Sequence, residues 1–68
     1  MDTIAVYING KERFVQSVTV DKLLEELQLA GRKIAVELNR EIVSRSSYPT
    51  AILKPGDMVE IVQFVGGG

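Results

Sequence analysis

One segment of this chain carries a helical pattern of apolar residues, and strand-like segments lie on both sides of it. The apolar positions follow the spacing of one helix face and comprise Val20, Leu23, Leu24 and Leu27. Thr19 precedes them as an N-cap, and Gly31 follows as the expected helix stop. The spacing predicts one helix of about three turns. Because a single helix must bury its apolar side against another element, it has to cover one face of a sheet.

Five strand-like runs supply that sheet. They are rich in Val, Ile and Tyr, and they cover residues 3–8, 12–18, 34–38, 41–43 and 58–65. Asn9-Gly10 joins the first two runs, and this pair is the strongest short hairpin signal because both turn positions need positive φ. Residues 54–57, Lys-Pro-Gly-Asp, form a second turn. The order β-β-α-β-β-β predicts an α+β fold, a mixed sheet of about four to five strands covered on one face by one helix.

The composition of this single domain argues against several classes of function. The 68 residues include no cysteine and no histidine, so neither a disulfide nor a usual metal site is expected, and no histidine can activate a serine. The 8 basic and 9 acidic residues are interspersed, unlike the basic stripe that binds nucleic acid. No apolar run is long enough to span a membrane, and the N-terminus is unlike a secretory signal. We therefore predict a cytoplasmic protein that is not an enzyme and has no nucleic-acid or membrane partner.

The arrangement of these segments resembles a known family. The matching residues are 4–10, 19–24, 35–43, 54–57 and 60–68. With a Pro-Gly-Asp turn one strand before a terminal glycine pair, the chain resembles the ubiquitin-like β-grasp sulfur carriers and, most closely, the ThiS family of thiamine biosynthesis. The resemblance implies a β-grasp domain over residues 1–65 and a flexible glycine tail over residues 66–68. The chain departs from the family at Ser44, where a proline is frequent, and in having three terminal glycines.

The resemblance also implies a role for the C-terminus. In this family an adenylating, E1-like enzyme uses ATP to activate the terminal carboxylate, which here belongs to Gly68. A sulfur donor protein then converts it to a thiocarboxylate, and thiazole synthase takes the sulfur for thiazole formation. The chain itself would be a co-substrate with no bound cofactor. Gly66 and Gly67 would form a thin tail that enters closed pockets, since glycine lacks a Cβ atom.

The outer face of the last strand is the second candidate site. Val62 and Phe64 alternate with the predicted core residues Val59 and Ile61. The β-grasp order makes this strand central, and an apolar pair on an uncovered sheet face is typical of a contact site. The predicted partner-docking surface comprises Val62, Phe64, Ala35 and Tyr7. The alternative is that Phe64 folds back over the sheet or that the alternation shifts near the tail.

The sequence is also compatible with other functions. The small subunit of molybdopterin synthase, a sulfur carrier for the molybdenum cofactor, has a similar fold and terminus. A ubiquitin-like modifier or interaction module would use only the sheet face. The glycine tail could also be a plain frayed terminus. The chemical state of Gly68 in the cell would discriminate between a carrier and an interaction module.

Overall fold

The structure, a computed structural model, describes residues 2–64 and contains the predicted sheet and helix. Its elements in chain order are β1 (Ile4–Ile8), β2 (Lys11–Val15), α1 (Val20–Glu26), β3 (Ile34–Leu38), β4 (Glu41–Val43) and β5 (Met58–Gln63). The strands form one sheet in the order β2-β1-β5-β3-β4. β1 and β5 run parallel, whereas the other neighbouring strands are antiparallel. The predicted mixed sheet with one helix is confirmed, and β5 is its central strand.

Two local signals in the sequence have the predicted geometry. Asn9 and Gly10 both have positive φ, 51° and 83°, as a two-residue hairpin turn between β1 and β2 requires. The Oγ1 atom of Thr19 accepts a hydrogen bond from the backbone N–H of Lys22 at 3.2 Å. Thr19 is therefore the N-cap of α1, as predicted.

The C-terminal end of α1 differs from the prediction. The helix ends at Glu26, so it has about two turns rather than three. Gln28 takes the left-handed position at the helix end that was expected of Gly31; Gly31 also has a positive φ, 79°, but lies further along the following loop. This turn lets the N–H of Leu29 donate to the carbonyl of Leu24 at 2.7 Å, and Leu29 packs against the core. Burial of that leucine offsets the roughly 1–2 kcal/mol that a left-handed conformation costs a residue other than glycine.

The core lies between α1 and the inner face of the sheet. Its buried hydrophobic residues are Val6, Val15, Val20, Leu23, Leu24, Ile34, Val36, Tyr48, Leu53 and Val59. The predicted core position Val59 is confirmed, Val6 and Val36 lie beside it in the cluster, and Leu27 and Ile61 pack against the cluster as half-buried side chains. The alternation of apolar residues in the strands therefore identifies the inner face correctly.

The segment between β4 and β5 closes the core around the start of α1. It contains a short 3₁₀ helix at Arg45–Ser47. The N–H groups of Val20 and Asp21 donate to the carbonyls of Ala51 and Tyr48, each at 3.0 Å. These bonds satisfy N–H groups that the first turn of a helix cannot pair internally. They also bring Tyr48, which the sequence did not predict as a core residue, against α1.

The helix covers one face of the sheet, and the opposite face carries exposed side chains from all five strands. Among residues 2–64, no helix is long and apolar enough to cross a membrane. The same part of the chain contains no group of three or more acidic side chains placed to hold a metal ion.

Candidate functional site

The central strand β5 is the last described element before the terminal glycines. It pairs with β1 through Tyr7 and Met58, and with β3 through Ala35 and Val62. The N–H of Phe64 donates to the carbonyl of Lys33 at 3.0 Å, so pairing with β3 continues one residue beyond the strand. Val65 and the predicted tail residues Gly66, Gly67 and Gly68 lie outside the described residues. The role of Gly68 and the extent of the tail therefore remain predictions.

The outer face of β5 presents the two apolar side chains that alternation assigned to it. Val62 is 55% exposed and Phe64 is 62% exposed, whereas Val59 on the inner face is buried. This exposure shows that the alternation does not shift before Phe64 and that its ring does not fold into the core. Ala35 lies beside Val62 on the neighbouring strand. These three side chains form a contiguous group, which we call the C-terminal patch.

Tyr7 belongs to a different part of the same face. It lies beside Met58, at the start of β5, and is exposed. Met58 and Val62 are four residues apart, which corresponds to about 13 Å along a strand. The structure thus brings Ala35 to the C-terminal patch and places Tyr7 near the opposite end of β5.

Two further exposed apolar side chains lie on this face and were not predicted from the sequence as part of the docking surface. Phe14 on β2 pairs with Ala5 on β1, close to Tyr7, and Ile42 on the edge strand β4 pairs with Glu37. The two-residue turn at Asn9-Gly10 fixes the pairing of β1 with β2, so the position of Phe14 could have been read from that turn. The two-residue turn at Asn39-Arg40 fixes the pairing of β3 with β4 in the same way, so the position of Ile42 opposite Glu37 could also have been read from a local turn.

Two glutamates separate the apolar parts of the face. Glu37 and Glu60 are direct cross-strand partners, and both are exposed. Within residues 2–64, the one ion pair joins Lys22 to Glu25 in α1. In this part of the chain, no basic nitrogen lies within 4.0 Å of the carboxylate of Glu37 or of Glu60. Like charges directly opposite each other destabilise a sheet. The isolated fold therefore gains nothing from this pair, and a partner that covers the whole face would meet negative charge at its middle.

Similarity to known proteins gives the family of this β-grasp domain. The model of the ThiS family matches residues 3–68. The sulfur carrier protein ThiS of Thermus thermophilus is 35% identical over 63 residues, which cover 93% of this chain and 98% of that protein. The crystal structure of the thiamine biosynthesis protein ThiS from Geobacter metallireducens superposes with a TM-score of 0.80 at 35% identity, over 96% of this chain and 100% of that chain. The chain belongs to the ThiS family and has the ubiquitin-like β-grasp fold.

A second kind of relative is much longer than this chain. A thiazole synthase of Paramagnetospirillum magneticum is 55% identical over 62 residues, which cover 90% of this chain but 19% of that protein. The chain thus spans about a fifth of the length of the thiazole synthases that it matches. In these relatives a region similar to this chain is part of one polypeptide with a much larger remainder.

Proposed function

We propose that this chain is a sulfur carrier of thiamine biosynthesis whose C-terminal carboxylate, at Gly68, becomes a thiocarboxylate. The observation that carries the proposal is the family match, which runs from residue 3 to the last glycine. The relative from Thermus thermophilus, similar over nearly its whole length, bears the name sulfur carrier protein. The position of β5 supports the proposal, because pairing with β3 as far as Gln63 anchors the strand that leads to the reactive terminus.

The proposed chemistry has two steps at the terminal carboxyl group. A carboxylate oxygen of Gly68 attacks the α-phosphate of ATP and displaces pyrophosphate, which gives an acyl-adenylate. A sulfur equivalent at the oxidation level of sulfide then attacks the acyl carbon and displaces AMP, which leaves the thiocarboxylate. Enclosure of the acyl-adenylate in a partner's pocket limits its hydrolysis. In this proposal an adenylating enzyme and a sulfur donor supply the catalysis, and the chain supplies the acyl group.

The C-terminal patch is the proposed docking surface for the adenylating enzyme. Gly68 is four positions beyond Phe64, and an extended chain over four positions spans at most about 13–14 Å. A partner that binds the Phe64 ring must therefore hold its reaction centre within that distance. The exposed side chains of Val62 and Phe64 support this placement, since they are the apolar groups of this face nearest the terminus along the chain, and Ala35 lies beside Val62.

Thiazole synthase is the proposed acceptor of the sulfur. The long relatives that bear this name contain a region similar to the present chain. Covalent linkage raises the effective concentration of one module near another and replaces the need for tight binding. Such linkage supports a functional partnership between a domain like this one and the remainder of a thiazole synthase.

The carrier proposal is tested by the mass of the protein after the reaction. Incubation with the adenylating enzyme, ATP and a sulfide source should exchange one oxygen for sulfur, and fragmentation should place the sulfur on the C-terminal peptide. A reaction without ATP is the control and should leave the mass unchanged. Sulfur on any other residue, or no exchange with a competent enzyme, would favour an interaction module instead.

Replacement of Phe64 by aspartate should weaken binding to the adenylating enzyme by about 10- to 30-fold, as expected for an apolar anchor at the centre of an interface. The melting temperature should hardly change, because the side chain is 62% exposed. Ile42→Asp is the matched control, since Ile42 is 80% exposed on the same sheet face but lies on the edge strand β4. It should keep wild-type affinity.

Titration calorimetry with the enzyme and thermal unfolding of each variant give the two measurements. A large fall in the melting temperature of Phe64→Asp would show that this ring stabilises the core. Equal affinity for the wild type and both variants would remove the C-terminal patch from the docking surface.

A further inference from the structure

The two edges of β5 are not supported in the same way. On one side β3 pairs with β5 as far as Gln63. On the other side the paired residues of β1 end at Ile8, opposite Val59, because the chain turns away at Asn9. The second half of β5, which carries Val62 and leads to Phe64, therefore extends beyond the last residue of β1.

The side chain of Asn9 continues the hydrogen bonding past that point. Its Oδ1 atom accepts from the N–H of Ile61 at 2.7 Å, and its Nδ2 atom donates to the carbonyl of Ile61 at 3.1 Å. The backbone N–H of Asn9 donates to the carbonyl of Val59 at 2.9 Å. A carboxamide has the same donor and acceptor as a peptide group. The Asn9 side chain thus takes the place of the next strand residue and extends the ladder by one step.

Asparagine suits this position for two reasons at once. The hairpin turn requires positive φ at residue 9, where the value is 51°, and asparagine tolerates the left-handed region better than most residues. The short carboxamide also supplies both a donor and an acceptor to Ile61. Aspartate would keep the acceptor but lose the donor, and glycine would keep the turn but lose both.

We propose that Asn9 is a positioning residue for the C-terminal activation reaction. By holding Ile61 on the side of β5 that β1 does not reach, it fixes the segment that bears Val62 and Phe64 and leads to Gly68. The inference rests on the proposed function, because positioning matters only if the partner must bind that segment and reach the terminus. Without the two side-chain bonds, the partner would have to order this segment as it binds.

The fold contains a matched control at the other hairpin. Asn39 also has a φ of 51°, its N–H donates to the carbonyl of Met58 at 2.7 Å, and its Oδ1 atom accepts from the N–H of Met58 at 3.0 Å. It therefore holds the first residue of β5, which precedes Phe64 by about 20 Å of strand. Replacing either asparagine by glycine keeps a turn residue that tolerates positive φ and adds the same freedom to the unfolded chain.

The first measurement is amide hydrogen exchange in the isolated protein, followed by NMR. In Asn9→Gly the amide of Ile61 should exchange about three- to tenfold faster, the factor expected for the loss of one or two ordinary hydrogen bonds. In Asn39→Gly that amide should keep its wild-type rate, whereas the amide of Met58 should exchange faster. Unchanged protection of Ile61 in Asn9→Gly would overturn the inference.

The second measurement is the steady-state kinetics of ATP-dependent activation, with the carrier as the varied substrate. Asn9→Gly should raise KM for the carrier about three- to tenfold and leave kcat within about twofold, because the added ordering affects binding rather than chemistry. Asn39→Gly should have a wild-type KM. Asn9→Asp, which keeps the acceptor for Ile61, should have an intermediate KM.

The outcomes separate this inference from the proposed function. If the wild type is not activated at all, the proposed function fails and the inference fails with it. If the wild type is activated but the two glycine variants have the same KM, Asn9 is a purely structural residue and only the inference is overturned.

Discussion

Removal of Gly67 and Gly68 should abolish ATP-dependent activation and leave the free energy of unfolding unchanged. Within residues 2–64, every buried core residue lies between Val6 and Val59, so we expect the last two residues to contribute little to stability. The new terminal carboxylate would lie on Gly66 and would fall short of the reaction centre by about 7 Å of extended chain. At an adenylating site, a carboxylate displaced by that distance cannot reach the α-phosphate, since even small misplacements lower rates strongly.

Pyrophosphate release with the adenylating enzyme measures activation, and urea unfolding measures stability. A variant with one bulky residue added after Gly68 is the companion test: it keeps every native residue but converts the reactive carboxylate into an amide. It should be equally inactive and equally stable. Activation that survives either change would contradict the carrier proposal and favour an interaction module that uses only the sheet face.

Replacement of Leu24 by alanine should lower the free energy of unfolding by about 2–5 kcal/mol, the usual range for truncation of a buried leucine. Leu24 is buried on the inner face of α1, next to the sheet. A chain of this length has a total stability of roughly 3–10 kcal/mol at ordinary values per residue. The substitution should therefore leave a large unfolded population at 37 °C, or no folded state at all.

Leu27→Ala is the control on the same helix face. Leu27 is the C-cap residue and is half-buried, so its truncation should cost less, about 1–2 kcal/mol. Urea titrations followed by circular dichroism give both values. If Leu24→Ala unfolds at the same urea concentration as the wild type, the assignment of α1 to the core face is wrong.

Much of the fold and part of the candidate site are determined by local sequence. The Asn9-Gly10 turn specifies a hairpin because few residue pairs accept two positive φ angles. Thr19 caps α1 through a bond that spans three residues. Alternation in β5 assigns Val62 and Phe64 to the outer face, since successive side chains of a strand point to opposite sides. Each of these features depends on residues that are close together in the chain.

Other features depend on packing between distant segments. At the end of α1, partial burial of Leu29 against the core favours a left-handed turn at Gln28, although glycine is the preferred residue at such a position. Tyr48 is buried because its segment closes over the start of the helix. A period of 3.6 residues or of two contains no information about either contact, so the sequence pattern predicted a longer helix and did not predict burial of Tyr48.

The arrangement of the docking face is likewise a tertiary property. The sequence placed Tyr7 with Val62 and Phe64, but the parallel register of β1 and β5 puts Tyr7 beside Met58 instead. The bonds from Asn9 to Ile61 join residues 52 positions apart, and they exist only because β5 enters the sheet between β1 and β3. Local sequence determines what each strand presents on either face, whereas the order and register of the strands determine which of those groups become neighbours.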